Sequence, residues 1–233
     1  MLIGILQTGD VNPRLADRFP PYDTMFADLL SGHGLRFRAW RANHAELPEG
    51  PEAADGWLIT GSAAGVYEDL PWIAPLEDLV RAIAAARRPL VGICFGHQLM
   101  AQALGGTVVK SDKGWGIGVQ TYRETGSGRE LRVLASHQDQ VTAPPPGTET
   151  VAASGFCPHA ALRWTDLPLI SWQPHPEFSA EYSRAIIEMR RGAAYEAAFA
   201  DAALARLDQP LDSAEIGDRL ARFFLDHRLP EPA

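Results

Sequence analysis

The chain has 233 residues, 46% hydrophobic and 21% charged, which places it among folded globular proteins and against disorder outside its ends. Its formal net charge of −8 argues against a nucleic-acid partner, which needs clustered Lys and Arg, and no apolar run reaches membrane-spanning length. Two cysteines, Cys94 and Cys157, are too few for a disulfide framework, so a reducing, cytoplasmic setting is expected.

From the N-terminus, Met1-Leu2-Ile3-Gly4-Ile5-Leu6 lacks the basic start of a secretory signal. Residues 2–8 read instead as a strand buried on both faces. Tyr22, Met25, Phe26, Leu29 and Leu30 follow at helical spacing, with Gly32 and Gly34 to end the helix. Leu35, Phe37 and Ala39 alternate with Arg36 and Arg38, the periodicity of a strand. A short apolar strand at 57–61 ends in Gly61, and Leu76, Leu79, Val80 and Ile83 mark a second helix, with Pro75 near its start. Residues 89–93 form another buried strand running straight into Cys94, and 97–104 read as the helix after it.

From 107 to about 172 the signal changes to short β runs, at 107–109, 117–122, 131–135 and 151–154, before a last apolar strand at 169–172. Pro144-Pro145-Pro146-Gly147 is a rigid loop between strand-like segments, not a linker. Three helical segments follow, at roughly 179–191, 193–207 and 213–227, and the tail 229–233 is expected to fray. Alternating strands and helices predict an α/β fold: a mainly parallel central sheet flanked by helices, with extra C-terminal helices. A chain of this length holds one such domain or two small ones; with no repeat and no linker, one domain over 1–233 is expected.

Gly92-Ile93-Cys94-Phe95-Gly96 is a G-x-C-x-G at a strand-to-helix junction, the cysteine counterpart of a nucleophile elbow. The turn leaves no room for a Cβ beside the nucleophile, and the helix N-terminus favours a thiolate. Taken alone, Cys94 would read as a buried small residue, the usual fate of a free cysteine. A thiol nucleophile needs an imidazole, and the imidazole an acceptor. Of seven histidines, His175 stands in Gln173-Pro174-His175-Pro176-Glu177, where residues i and i+2 of an extended segment share a face. Glu177 then reaches the ring. His97 opens the helix after the elbow, and His137, in the polar loop 136–141, is the rival base. A metal site of His137, Asp139 and His175 lacks metal-binding spacing. Cys157, in Gly155-Phe156-Cys157-Pro158, reads as a buried turn.

These motifs resemble those of class I (triad) glutamine amidotransferases, of the GMP-synthase glutaminase type and its stand-alone homologues. Gly92-Ile93-Cys94-Phe95-Gly96-His97-Gln98 is similar to G-[IV]-C-x-G-x-Q, and Thr60-Gly61-Ser62 to the glycine-rich oxyanion strand. Ser136-His137-Gln138-Asp139-Gln140-Val141 resembles S-H-x-D-x-V, and 173–177 resembles Q-x-H-P-E. The resemblance covers roughly 55–180, with the helices at about 179–228 beyond it, and implies a flavodoxin-like sheet. It also implies a γ-glutamyl thioester on Cys94, with His175 as base and Glu177 as its orienter. Phe95 with Gly61 or Ser62 would form the oxyanion hole, and Gln98, His137, Gln138 and Asp139 would hold the substrate's α-groups. No cofactor or metal is implied; the partners are a small γ-glutamyl substrate (glutamine or a γ-glutamyl peptide) and a possible separate synthetase subunit. The chain departs from the family in Gly61-Ser62-Ala63-Ala64-Gly65, where Gly-Gly-Pro is usual, and in Pro174, where many members carry Phe.

Overall fold

A computed structural model describes residues 1–227; the tail expected at 229–233 lies outside the described residues. The first half runs β1 (Leu2–Gln7), α1 (Tyr22–Leu29), β2 (Arg36–Arg41), β3 (Gly56–Ile59), α2 (Ile73–Ala85), β4 (Leu90–Ile93) and α3 (Phe95–Ala103). Six strands follow: β5 (Thr107–Lys110), β6 (Gly116–Glu124), β7 (Glu130–His137), β8 (Asp139–Ala143), β9 (Thr148–Ala153) and β10 (Ala161–Trp164). Then come β11 (Leu169–Trp172), α4 (Ala180–Arg190), α5 (Ala197–Leu204) and α6 (Ser213–Asp226).

Nine strands form one sheet in the order β2-β1-β3-β4-β11-β10-β9-β6-β7, while β5 and β8 pair separately. From β2 to β11 every pairing is parallel, and from β11 to β7 every pairing is antiparallel. The α/β architecture and its C-terminal helices follow the sequence reading; the sheet as a whole is mixed. The reason lies in the connections. β6 and β7 are joined by a turn of five residues, too short for the crossover that parallel pairing requires. Two strands were not anticipated: β10, only four residues long, and β8, which occupies most of the expected polar loop after His137.

Both faces of the parallel half are covered, which is why its central strands are apolar at consecutive positions. Leu6, Trp57, Ile59 and Leu90 pack with α2 and α3, whereas Ile5, Leu58, Val91 and Ile93 pack with α1 and α6. β2 is the edge, and its exposed Arg36 and Arg41 oppose further strand pairing. The antiparallel half has its own cover: Ile117, Val119 and Leu134 pack with Tyr182, Ile186 and Ala200 of α4 and α5. α6 then returns to the parallel half, where Arg219 donates to Glu124 at the end of β6 and to Glu215. Among the described residues no helix is long and apolar enough to cross a membrane.

The docking of α6 is testable through Gly217. In an exposed helix interior, glycine to alanine gains about 1 kcal/mol. Here the new Cβ would lie 2.8 Å from the Leu29 carbonyl oxygen at the end of α1. Overpacking of that kind costs about 1–3 kcal/mol and should win. Gly217→Ala is therefore expected to lower the urea midpoint; a raised midpoint would mean that α6 does not sit against Leu29.

Candidate active site

Cys94 follows the last residue of β4 and is the N-cap of α3, with φ 52° and ψ −103°. A non-glycine residue holds such a conformation only where its surroundings over-determine it. The surroundings are the two elbow glycines. A Cβ on Gly92 would meet the Gly96 carbonyl at 2.5 Å, and one on Gly96 would meet the Ile59 carbonyl at 2.4 Å. The Cys94 N–H donates to the Trp172 carbonyl (2.8 Å), which ties the turn to β11. The sulfur therefore stands at the positive end of α3, beyond the carboxyl edge of the sheet.

The ends of the two neighbouring strands supply the rest. β11 leads into 173–177, where the His175 N–H donates to the Leu134 carbonyl (2.8 Å) and His175 Nδ1 lies 2.7 Å from Glu177 Oε1. The segment is a short bridge followed by a turn at Pro176–Glu177, so the ring and carboxylate meet through the turn and not along an extended strand as expected. Phe178 stacks flat on the imidazole, with centroids 4.0 Å apart and planes within 7°. With Nδ1 engaged by Glu177, Nε2 is the nitrogen left for Cys94, its neighbour across Gly61. Burial opposes a charge on His175, but the Cys94 sulfur and the Glu177 carboxylate overcome it and raise the imidazole well above its ordinary value.

β3 leads into Thr60-Gly61-Ser62, which passes directly over the imidazole: a Cβ on Gly61 would lie 2.8 Å from His175 Cε1 and 3.6 Å from Cys94 Cβ. Among the described residues, no protein acceptor engages the N–H of Phe95, Gly61 or Ser62. The Phe95 side chain turns away to pack on Trp72. Sequence reasoning missed what braces this strand. The Thr8 hydroxyl lies 2.9 Å from the Thr60 carbonyl and 3.1 Å from that of Gly61, and a Cβ on Gly9 would meet the Gly61 carbonyl at 2.8 Å. The one available signal was a Thr-Gly pair closing an apolar strand.

Cys94, His175, Gly61, Ser62, Gln98, His137, Gln138 and Asp139 line one cavity of about 230 Å³. Glu177 lies behind His175 and does not line it. Gln98 Nε2 donates to the Asp139 carbonyl and to Gln173 Oε1, both at 3.0 Å. His137 closes β7 with Nδ1 3.1 Å from the Asp139 carbonyl; burial lowers it to about 4, and a neutral ring there donates through Nδ1. Tyr67, also unforeseen, donates to Asp139 Oδ2 (3.0 Å), while Gln138 Nε2 donates to the Ser111 carbonyl (3.2 Å). His97 is wholly buried against Ser171 Oγ (2.8 Å) and lowered by burial to about 3. Cys157 is buried in its turn, and burial pushes its thiol up to about 12. Among the described residues no group of three or more His, Cys, Asp or Glu is arranged to hold a metal ion.

A nine-stranded α/β sheet carrying a strained cysteine on a strand-to-helix elbow, beside a buried His–Glu pair, defines the class of fold and site. The family model for glutamine amidotransferase class-I matches residues 29–189, and the chain belongs to that family. Gamma-glutamyl peptidase 4 of Arabidopsis thaliana is 26% identical over 219 residues, 88% of this chain and 87% of that protein. GMP synthase [glutamine-hydrolyzing] of Thermus thermophilus is 44% identical over 125 residues, 52% of this chain and 24% of that protein. A solved glutamine amido transferase from Methylobacillus flagellatus shares the fold, with a TM-score of 0.75 at 23% identity, covering 99% of this chain and 96% of that one.

The raised imidazole has a consequence for stability. A folded-state value above the unfolded one, about 6.5 for histidine, gives stabilisation that is complete below 6.5 and lost as pH rises through the folded value. His175→Gln removes that contribution. The stability gap between wild type and His175→Gln should therefore be widest near about pH 6 and narrow on the alkaline side, read from urea midpoints. A gap that widens with pH would reverse the assigned direction.

Proposed function

We propose that the chain is a glutamine amidotransferase-like cysteine hydrolase, acting as one domain, that opens γ-glutamyl amide bonds through a γ-glutamyl thioester. The observation that carries this reading is Cys94, held in a strained backbone conformation at a helix N-cap, beside the buried His175–Glu177 pair. In this reading the thiolate attacks the γ-carbonyl carbon while the imidazolium of His175 holds the proton. The oxyanion forms between the N–H groups of Phe95 and of Gly61 or Ser62, each such donor being worth about 2.7–4 kcal/mol. The C–N bond then breaks, and His175 delivers its proton to the departing amine. Water, deprotonated by the same imidazole, hydrolyses the thioester. Gln98 and the corner formed by His137, Gln138 and Asp139 hold the glutamyl α-amino and α-carboxylate groups.

Glutamine and γ-glutamyl peptides both satisfy this chemistry. A peptidase role is favoured by the likeness to gamma-glutamyl peptidase 4, which runs over 88% of the chain. A role as ammonia source for a separate synthetase rests on the shorter likeness to GMP synthase, which spans 52% of the chain. Comparison of glutamine, glutathione and simple γ-glutamyl peptides as substrates of the isolated chain decides between them.

Two experiments test the mechanism itself. A diazo-ketone analogue of glutamine is expected to label Cys94 and leave Cys157 unmodified, since the latter is buried and its thiol raised to about 12. Mass spectrometry placing the label on Cys157, or on neither, would remove the mechanism. Single-turnover acylation by a γ-glutamyl anilide should then fall most for His175→Ala, less for Glu177→Gln and least for His137→Ala. In a serine triad the comparable amide replacement costs about 10⁴ in rate, and a thiol should be less sensitive. Acylation killed by His137→Ala and spared by His175→Ala would mean that the base is the other histidine.

A further inference from the structure

The departing amine must lie on the imidazole's side of the cavity, because His175 gives it its proton. That side is built by the chain after His175. Phe178 covers the ring, and α4 carries the wall onward through Ile186 to Arg190, both of which line the cavity together with Trp115. The glutamyl α-groups are assigned to Gln98 and the His137–Gln138–Asp139 corner of the same cavity, which Gln98 joins through the Asp139 carbonyl.

Arg190 differs from the other arginines near it. Arg184 and Arg191 are turned outward and paired, with Asp208 and Asp201 respectively. Arg190 is half-buried, and among the described residues no carboxylate lies within ion-pair distance of it. Its guanidinium rests near the rings of Trp115 (5.7 Å) and Tyr195 (5.9 Å) and donates to the Tyr195 hydroxyl (3.1 Å), while Trp115 and Tyr195 meet edge to face. Aromatic faces and one hydroxyl hold the cation in place yet leave most of its donors without an anion. A planar fork held in that way is suited to bidentate capture of a carboxylate.

Resting on the hydrolase reading above, we infer that Arg190, held by Trp115 and Tyr195, forms a leaving-group subsite for a carboxylate, so that the preferred substrates are γ-glutamyl amino acids or peptides and not glutamine. In the reaction the bond to sulfur forms first; as the tetrahedral intermediate collapses the γ-glutamyl C–N bond breaks, and the amine takes its proton from His175 and leaves as an amino acid or peptide whose carboxylate remains on Arg190. Ammonia has no group to place there. This assigns a role to α4, which lies at the edge of the family match and which sequence reasoning left without one.

The test is a ratio of kcat/KM for γ-glutamylglycine to that for γ-glutamylglycinamide, which differ only in the leaving-group carboxylate. A charge-assisted contact predicts a ratio of about tenfold or more in the wild type. It should fall toward about one in Arg190→Gln and recover in part in Arg190→Lys, which keeps charge but not the fork. A wild-type ratio near one, or a ratio that survives Arg190→Gln, overturns the subsite. Equal losses on both substrates with the ratio preserved would place Arg190 on the glutamyl side and overturn it too. Absence of turnover on every γ-glutamyl compound, with Cys94 unlabelled by the diazo-ketone, would instead sink the hydrolase reading on which the subsite rests.

Discussion

The site depends on the parallel hydrogen bonding of β4 between β3 and β11. Those pairings bring the carboxyl ends of three strands far apart in sequence side by side, in a register where Ile93 faces Trp172 and Gly92 faces both Ile59 and Ser171. Each strand then delivers one part of the site: Cys94 from β4, Gly61 and Ser62 from β3, His175 and Glu177 from β11. A strand packed against helices on both faces has little freedom to slip, because a shift of one residue would break the close packing of both sets of side chains. The chemistry inherits its geometry from the sheet.

Within the sheet the elbow is a local compromise. Cys94 holds an unfavourable backbone conformation that only close packing sustains, and the packing exists because Gly92 and Gly96 bring backbone within a distance no side chain allows. Thr8 and Gly9 do the same service for the end of β3, so the backbone of Thr60 and Gly61 beside the elbow is held in place. In the proposed reaction, donors fixed in advance would need no reorganisation when charge develops, the physical basis of an oxyanion hole.

Three histidines are buried close to the cavity, and burial pushes each of them toward neutrality. For His97 and His137, a hydroxyl and a carbonyl are the nearest partners, and desolvation wins. For His175, a carboxylate at 2.7 Å and the cysteine sulfur reverse the sign. Burial by itself therefore does not single out the candidate base; the neighbouring charge does. Arg190 presents the converse case, a cation near aromatic rings with no carboxylate beside it among the described residues, and it lies at the end of α4 on the cavity wall.

Much of this was legible in the residues themselves. The parallel strands and their helices announced themselves because burial on both faces leaves runs of apolar residues, and helical spacing is a local signal. G-x-C-x-G and the Gln173–Glu177 stretch were legible because strained turns and prolines restrict the residue types that fit. Pairing was another matter. That β6, β7, β9 and β10 extend the sheet in antiparallel fashion, and that the segment after His137 is itself strand β8, depends on which backbone groups find partners across the chain. Short strands carry little periodicity from which to infer that. Thr8, Tyr67, Trp115 and Arg190 escaped for the same reason. Each is an ordinary residue in its own segment and acquires its place only when distant strands and helices close around one cavity. Local sterics and hydrophobic pattern were enough to mark most of the elements and the candidate motif. The surroundings of that motif waited on the folded chain, because contacts between remote segments leave no trace in local spacing.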